Sequence, residues 1–132
     1  MREQIEEFNA VENLARKFIE AVKNGNSEIV KPYFYEKASF FGQLNETEYQ
    51  SGSIQGFYET IDQMGACGDD YTARVDVITL EKTIAVVRVI EDNWHGYKFT
   101  DLLIMNKING EWKIVSKVYD TCLLYTSPSP RD

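Results

Sequence analysis

The chain has 132 residues, of which 43% are hydrophobic and 27% charged, a size and composition that suit one domain built around one core. Its 14 Lys and Arg are scattered among 21 Asp and Glu, and the formal charge of −7 disfavours a nucleic-acid partner or an anionic membrane surface. No apolar run approaches the ~20 residues of a membrane span, and MREQIEEFNA lacks the basic start and apolar stretch of a secretory signal, so a cytoplasmic setting is expected.

Ile5, Phe8, Val11, Leu14, Ala15, Phe18, Ile19 and Val22 recur at spacings of three and four, which predicts an amphipathic helix ending at Asn24-Gly25. Asn26 or Ser27 can cap a second helix, and Pro32 keeps it short. Ala38 to Gly42, ASFFG, reads as a brief strand, and the polar stretch from Gln43 to Gly52 as a loop or flap. Ser53 then opens a helix whose Ile54, Phe57, Ile61 and Met64 share a face and whose end is Gly65; Gly56 weakens it internally.

From Tyr71 onward the pattern is β: Tyr71 to Leu80, Thr83 to Asp92, Tyr97 to Lys107 and Glu111 to Tyr119. Short connections between these runs imply antiparallel hairpins. Helices followed by strands predict an α+β domain, with N-terminal helices packed on one face of a strongly curved antiparallel sheet.

Beyond Tyr119 the character changes. Cys122 to Asp132, CLLYTSPSPRD, turns abruptly to Ser and Pro and matches the translation of a transposase adapter used in sequencing libraries. Residues 1–121 are therefore expected to form the domain and residues 122–132 a non-native tail, which belongs outside fold reasoning. Its one Arg and one Asp cancel, so the charge is unaffected. Cys67 is then the sole native cysteine, and a disulfide has no partner.

The segment from Phe99 to Tyr119, FTDLLIMNKINGEWKIVSKVY, places Asp101 and Lys117 inside apolar strands, where charges are costly unless paired or used. The turn decides whether they meet. A two-residue Asn109-Gly110 turn would set Asp101 opposite Val118 and put the two charges on different faces. A three-residue loop over Ile108, Asn109 and Gly110 would set Asp101 opposite Lys117 and Leu103 opposite Val115, and is preferred because it lets the charges satisfy each other. The other face would then carry Thr100, Leu102, Ile104, Trp112, Ile114, Ser116 and Val118.

Other groups carry weaker signals. Arg74, Asp76 and Arg88 read as solvated or paired strand charges. One His and one native Cys form no cluster with metal-ligand spacing, and there is no phosphate loop or activated nucleophile, so neither metal nor cofactor is expected. Aromatics make up 13% of the chain, and Tyr33, Phe34, Tyr35, Phe40, Phe41, Phe57 and Tyr58 suit core packing or the walls of a planar-ligand site.

The order of elements, together with Tyr33-Phe34-Tyr35, Ala38-Ser39-Phe40, Trp94-His95-Gly96, Phe99-Thr100-Asp101 and the run from Gly110 to Tyr119, resembles the nuclear-transport-factor-2-like superfamily, in particular its SnoaL-like and lumazine-binding-like proteins. The resemblance covers roughly residues 5 to 120. It implies a cone-shaped, cystatin-like α+β barrel, and it spans isomerases, dehydratases, hydrolases, binding modules and dimerisation domains. Ketosteroid-isomerase-like members use a carboxylate base with a tyrosine and a protonated aspartic acid, but the first helix here has no tyrosine. Dehydratase-like members pair a histidine with an aspartate, whereas His95 falls in a turn at the rim.

Three functions stay open on this reading. In the first, a small hydrophobic or planar molecule is bound in an apolar cone whose candidate ligand-binding residues are Asp101, Lys117, Phe99, Tyr119, Tyr97 and Trp94, with catalytic residues unassigned. The second is an acid-base enzyme acting on a compact hydrophobic substrate through Asp101. The third is a homodimerisation module using an outer sheet face. Asp101 and Lys117 could equally be an ion pair that fixes strand register.

Overall fold

The computed structural model describes residues 2–123. The apolar stripe of the first segment forms helix α1 (Arg2–Asn24), which buries Val11, Leu14, Ala15, Phe18, Ala21 and Val22. Asn26 caps the first of two successive 3₁₀ turns, Ser27–Ile29 and Lys31–Tyr33; the second has Pro32 in its first turn, where the missing N–H costs nothing. Strands β1 (Phe34–Gln43) and β2 (Tyr49–Ser53) follow, then helix α2 (Ile54–Met64), capped by the Ser53 hydroxyl and closed by Gly65 at φ 75°. Four long strands complete the chain: β3 (Thr72–Glu81), β4 (Ile84–Trp94), β5 (Tyr97–Ile108) and β6 (Glu111–Leu123).

The six strands form one sheet in the order β2-β1-β6-β5-β4-β3. Every neighbouring pair is antiparallel except β1 and β6, which run parallel, so the sheet is mixed rather than wholly antiparallel as expected. The reason is connectivity: β1 precedes the whole β3 to β6 meander and docks on its last strand. The expected loop from Gln43 to Gly52 is shorter than its polarity suggested, because Tyr49–Ser53 pairs with β1 as an edge strand. One side of an edge strand faces solvent, so polar composition and pairing are compatible there.

Every strand pairing except β1–β2 carries a register irregularity, the structural source of strong curvature. Both helices pack on the same inner face. Phe18 of α1 stacks on Phe57 of α2 with centroids 5.4 Å apart, and Phe57 meets Trp94 edge-on at 6.4 Å. The lower half of α1 is pinned to the β5–β6 hairpin by Glu7, which accepts from Lys107 Nζ at 2.7 Å and Trp112 Nε1 at 2.5 Å. Those two donors hold the Glu7 carboxyl below its ordinary range. Asp62 of α2 accepts from the Ser27 N–H and hydroxyl, both at 2.9 Å, which ties α2 to the 3₁₀ turns.

No helix among the described residues is long and apolar enough to cross a membrane. Cys122 and Leu123 extend β6 opposite Lys98 and Tyr97. Residues 124–132, the greater part of the segment expected to be foreign, lie outside the described residues.

Candidate functional site

The β5–β6 hairpin departs from both expected registers. Asn109-Gly110 is a two-residue turn, with Asn109 at φ 51° and Gly110 at φ 84°, and Ile108 faces Glu111. Those paired positive angles are what a tight hairpin turn requires. The preferred three-residue loop is thus incorrect, but the face separation forecast for the two-residue turn does not follow. Met105 faces Ile114 and Ile104 faces Ser116, so Val115 is an extra residue, a bulge that resets the alternation.

Trp112 and Ile114 before the bulge, and Lys117 and Tyr119 after it, all point to the interior. The expected assignment of Trp112 and Ile114 to the face opposite Asp101 is overturned by the same residue. Asp101 sits opposite Tyr119 and Lys117 opposite Leu103, so the charges meet on a diagonal. A lysine side chain spans that diagonal easily.

Lys117 Nζ donates to Asp101 Oδ1 at 2.7 Å, with side-chain exposures of 4% and 1%. Removing both charges from water is expensive, so partners matter. The ammonium lies 3.9 Å from the Tyr119 ring centroid and 4.5 Å from that of Phe57, with Phe18 and Phe99 at 5.9 and 6.0 Å. Aromatic faces carry negative potential, so this cage stabilises the buried cation. Asp101 Oδ2 has no hydrogen-bond partner among the described residues, and burial pushes the Asp101 carboxyl up despite the opposing pull of Lys117.

A second buried carboxylate escaped the sequence reading. Glu91 is 1% exposed and accepts from the Tyr71 hydroxyl at 2.6 Å. Burial first, then the charge of Asp101, pushes its pKa up to about 8, against the stabilising donor of Tyr71 and the charge of Lys117. Burial and Glu91 together raise the Tyr71 phenol. The signal was available: Ala85, Val87 and Val89 alternate into the core, and Glu91 continues that phase.

Above Lys117 lies a cavity of about 250 Å³, lined by Phe40, Leu44, Gln50, Phe57, Thr60, Met64, Trp94, Tyr97, Phe99, Lys117 and Tyr119. Five of the six expected residues reach it. Asp101 does not: it lies behind Lys117, so the cavity meets the cation and not the acid. Trp94 faces inward because the strand is irregular between Glu91 and Trp94, where Asn93 takes φ 67°.

The polar groups at this surface are few. Tyr119 Oη donates to Gln50 Oε1 at 2.5 Å, Thr60 Oγ1 donates to the Gly56 carbonyl at 3.0 Å, and the buried Trp94 indole N–H has no partner among the described residues. Burial raises the Tyr119 phenol to about 12, so it stays a neutral donor. Two glycines seat the aromatic walls. A Cβ on Gly42 would fall 2.5 Å from the Tyr119 ring and carbonyl oxygen, and one on Gly56 would fall 3.3 Å from Phe40 Cε1.

Leu44, Gln50, Thr60 and Met64 were not singled out from sequence, since they reach the site only through the packing of the β1–β2 connection, β2 and α2. His95 is an exposed turn residue at φ 50° whose Nε2 lies 3.1 Å from the Gly65 carbonyl oxygen. Arg74 and Arg88 both donate to Asp76, away from the cavity lining. Among the described residues no group of three His, Cys, Asp or Glu side chains is placed to hold a metal ion.

A curved sheet carrying helices on one face, with a buried ion pair beneath an aromatic cavity, defines an α+β domain of the nuclear-transport-factor-2-like class. The family described as "Putative lumazine-binding" matches residues 6–120, and the chain belongs to it. It is 34% identical over 114 residues to aldolase FrzH from Cladobotryum sp., covering 86% of this chain and 90% of that protein. A nuclear-transport-factor-2-like protein of unknown function from Shewanella baltica OS155 superposes with a TM-score of 0.84 at 30% identity, covering 95% of this chain and 97% of that one. A similar protein of unknown function from Silicibacter pomeroyi DSS-3 gives 0.80 at 28% identity, with coverage of 90% and 98%.

Proposed function

We propose that this protein is a small-molecule-binding domain whose cavity takes a compact planar molecule against aromatic walls. The observation that carries this reading is the placement of Lys117: one of its three donors is held by Asp101, and the side chain lies on a cavity otherwise walled largely by apolar and aromatic groups. Sites of this kind bind through apolar contact and orient their ligands through a few polar groups. At the ~30 Å³ share of one liquid water, the cavity equals roughly eight waters, so the ligand is small. The family description makes lumazine a rational first probe.

The test is a fluorescence titration of lumazine, alongside mass spectrometry of compounds retained from a metabolite mixture. Saturable binding that is weakened by Phe57→Ala supports the reading. Absence of any saturable ligand in both measurements would overturn it.

A second reading, acid-base catalysis on a compact carbonyl compound, is favoured by the identity to a protein named an aldolase. Asp101 would then act through Lys117 rather than on the substrate directly. Turnover of an aldehyde and ketone pair by purified protein, lost in the paired Asp101→Asn/Lys117→Met variant while ligand binding persists, would separate catalysis from binding. The homodimer expected from sequence would form on the outer face, where Leu102, Val118 and Phe41 lie in one row across three strands and are each more than a third exposed. Light scattering of wild type against Val118→Asp tests that reading, with a shift from dimer to monomer expected.

A further inference from the structure

We infer that the ligand is an anion, a planar compound that presents a negatively charged oxygen to Lys117, with the Gln50 amide as a second donor. This deepens the binding reading and rests on it. The cavity is electrostatically one-sided. Of the buried pair, Lys117 lines the cavity and Asp101 does not, so the member of the pair that a ligand meets is the lysine. The ammonium has three N–H donors and the structure commits one, to Asp101 Oδ1; aromatic faces surround much of the rest.

Gln50 adds a second, independent pointer. It lines the same cavity, and its amide oxygen is taken by the Tyr119 hydroxyl, which leaves the amide NH₂ to donate. The lining is thus rich in donors and poor in free acceptors, complementary to an acceptor edge on the ligand.

The charge behind the site permits an anion to enter. Asp101 is balanced by Lys117, and Glu91, whose carboxyl is held up to about 8 by burial, is predominantly neutral at pH 7. Charge-assisted hydrogen bonds are the stronger kind, and in a site sheltered from water they discriminate between an anion and its neutral isostere. The ligand class is therefore an aromatic carboxylate, a phenolate or an enolate, with its ring between the Phe40, Phe57 and Tyr119 walls.

Benzoate and benzamide test this, because they share shape and differ in charge. Isothermal titration of wild type at pH 7 is expected to show benzoate bound about tenfold or more tightly than benzamide. Lys117→Met alone would strand Asp101, so the comparison uses Asp101→Asn/Lys117→Met, which removes the charges together. There the preference for benzoate disappears while benzamide binding persists. Gln50→Leu, which deletes the amide donors, reduces benzoate affinity several-fold more than benzamide affinity. Equal binding of the two probes by wild type, or an undiminished preference in the double variant, overturns the anion inference and leaves the pocket reading standing. Failure of both probes, and of lumazine, to bind would overturn the pocket reading itself.

Discussion

Glu91→Gln should remove a large part of the pH dependence of stability between pH 5 and 8. In the folded protein the Glu91 carboxyl is held up to about 8, chiefly by burial and secondarily by Asp101, whereas in the unfolded chain it titrates at about 4.3. Between those values the native state binds one proton more than the unfolded state. The derivative of unfolding free energy with pH is therefore negative, and the stabilisation is complete below the unfolded pKa and lost as pH rises through the folded one.

One proton gives a slope of about 1.4 kcal/mol per pH unit at most, or several kcal/mol across the window. That is a large share of the ~5–15 kcal/mol stability of a domain. The groups held below their ordinary range, Glu7, Asp62 and Asp76, titrate at lower pH and do not contribute here. Gln keeps the acceptor for the Tyr71 hydroxyl and removes the titration. Urea unfolding at pH 5, 6, 7 and 8 should show wild type weakening steadily and the variant weakening less, keeping only the slope that the raised carboxyl of Asp101 contributes, so that the variant gains relative to wild type as pH rises. A wild-type profile flat from pH 5 to 8, or a variant with the same slope, would refute the reasoning.

Three further outcomes follow from the same interior. Asp101→Asn and Lys117→Met should each cost about 3–5 kcal/mol, because each leaves an uncompensated buried charge, whereas the double variant should recover much of that loss; urea unfolding that finds the single costs additive would contradict the pairing. Gly42→Ala should cost about 1–3 kcal/mol, since the added methyl meets both ring and backbone of Tyr119, while Gly56→Ala should be near neutral, helix propensity offsetting the displacement of Phe40; thermal denaturation distinguishes the two. Deleting Val115 should remove cooperative unfolding in the same assay, and a stable deletion variant would show that the bulge is dispensable.

The helices and the long strands were legible because their cues are local: a stripe at three and four, Ser53 and Gly65 as caps, and Asn109-Gly110 as a turn. The parallel docking of β1 on β6 was not, since no pattern within β1 records which strand it will meet. β2 was hidden by its edge position, where polar side chains are compatible with pairing. At the site, Phe99, Tyr119, Tyr97 and Lys117 could be picked out as aromatic or charged residues in β runs, and Trp94 as an aromatic beside the turn between two of them. Gln50, Thr60 and Met64 carry no such mark, and Glu91 was passed over although the phase of β4 pointed it inward.

Val115 shows most clearly where strand parity fails as an argument. Counting from a two-residue turn put Asp101 and Lys117 on opposite faces, and the difficulty of burying separate charges then argued for a longer turn. The energetic premise was sound, since the charges do meet in the interior. The structure meets it by a different route: the turn stays tight and one residue is added five positions beyond Gly110. Parity holds only between bulges, so the demand that a buried acid and base be paired is firmer knowledge than any register counted from a turn. The bulge also serves the hairpin on both of its sides. Trp112 and Ile114 reach the core and the Glu7 anchor before it, and Lys117 and Tyr119 reach the cavity after it. An unbroken strand could present only one of those pairs to the interior.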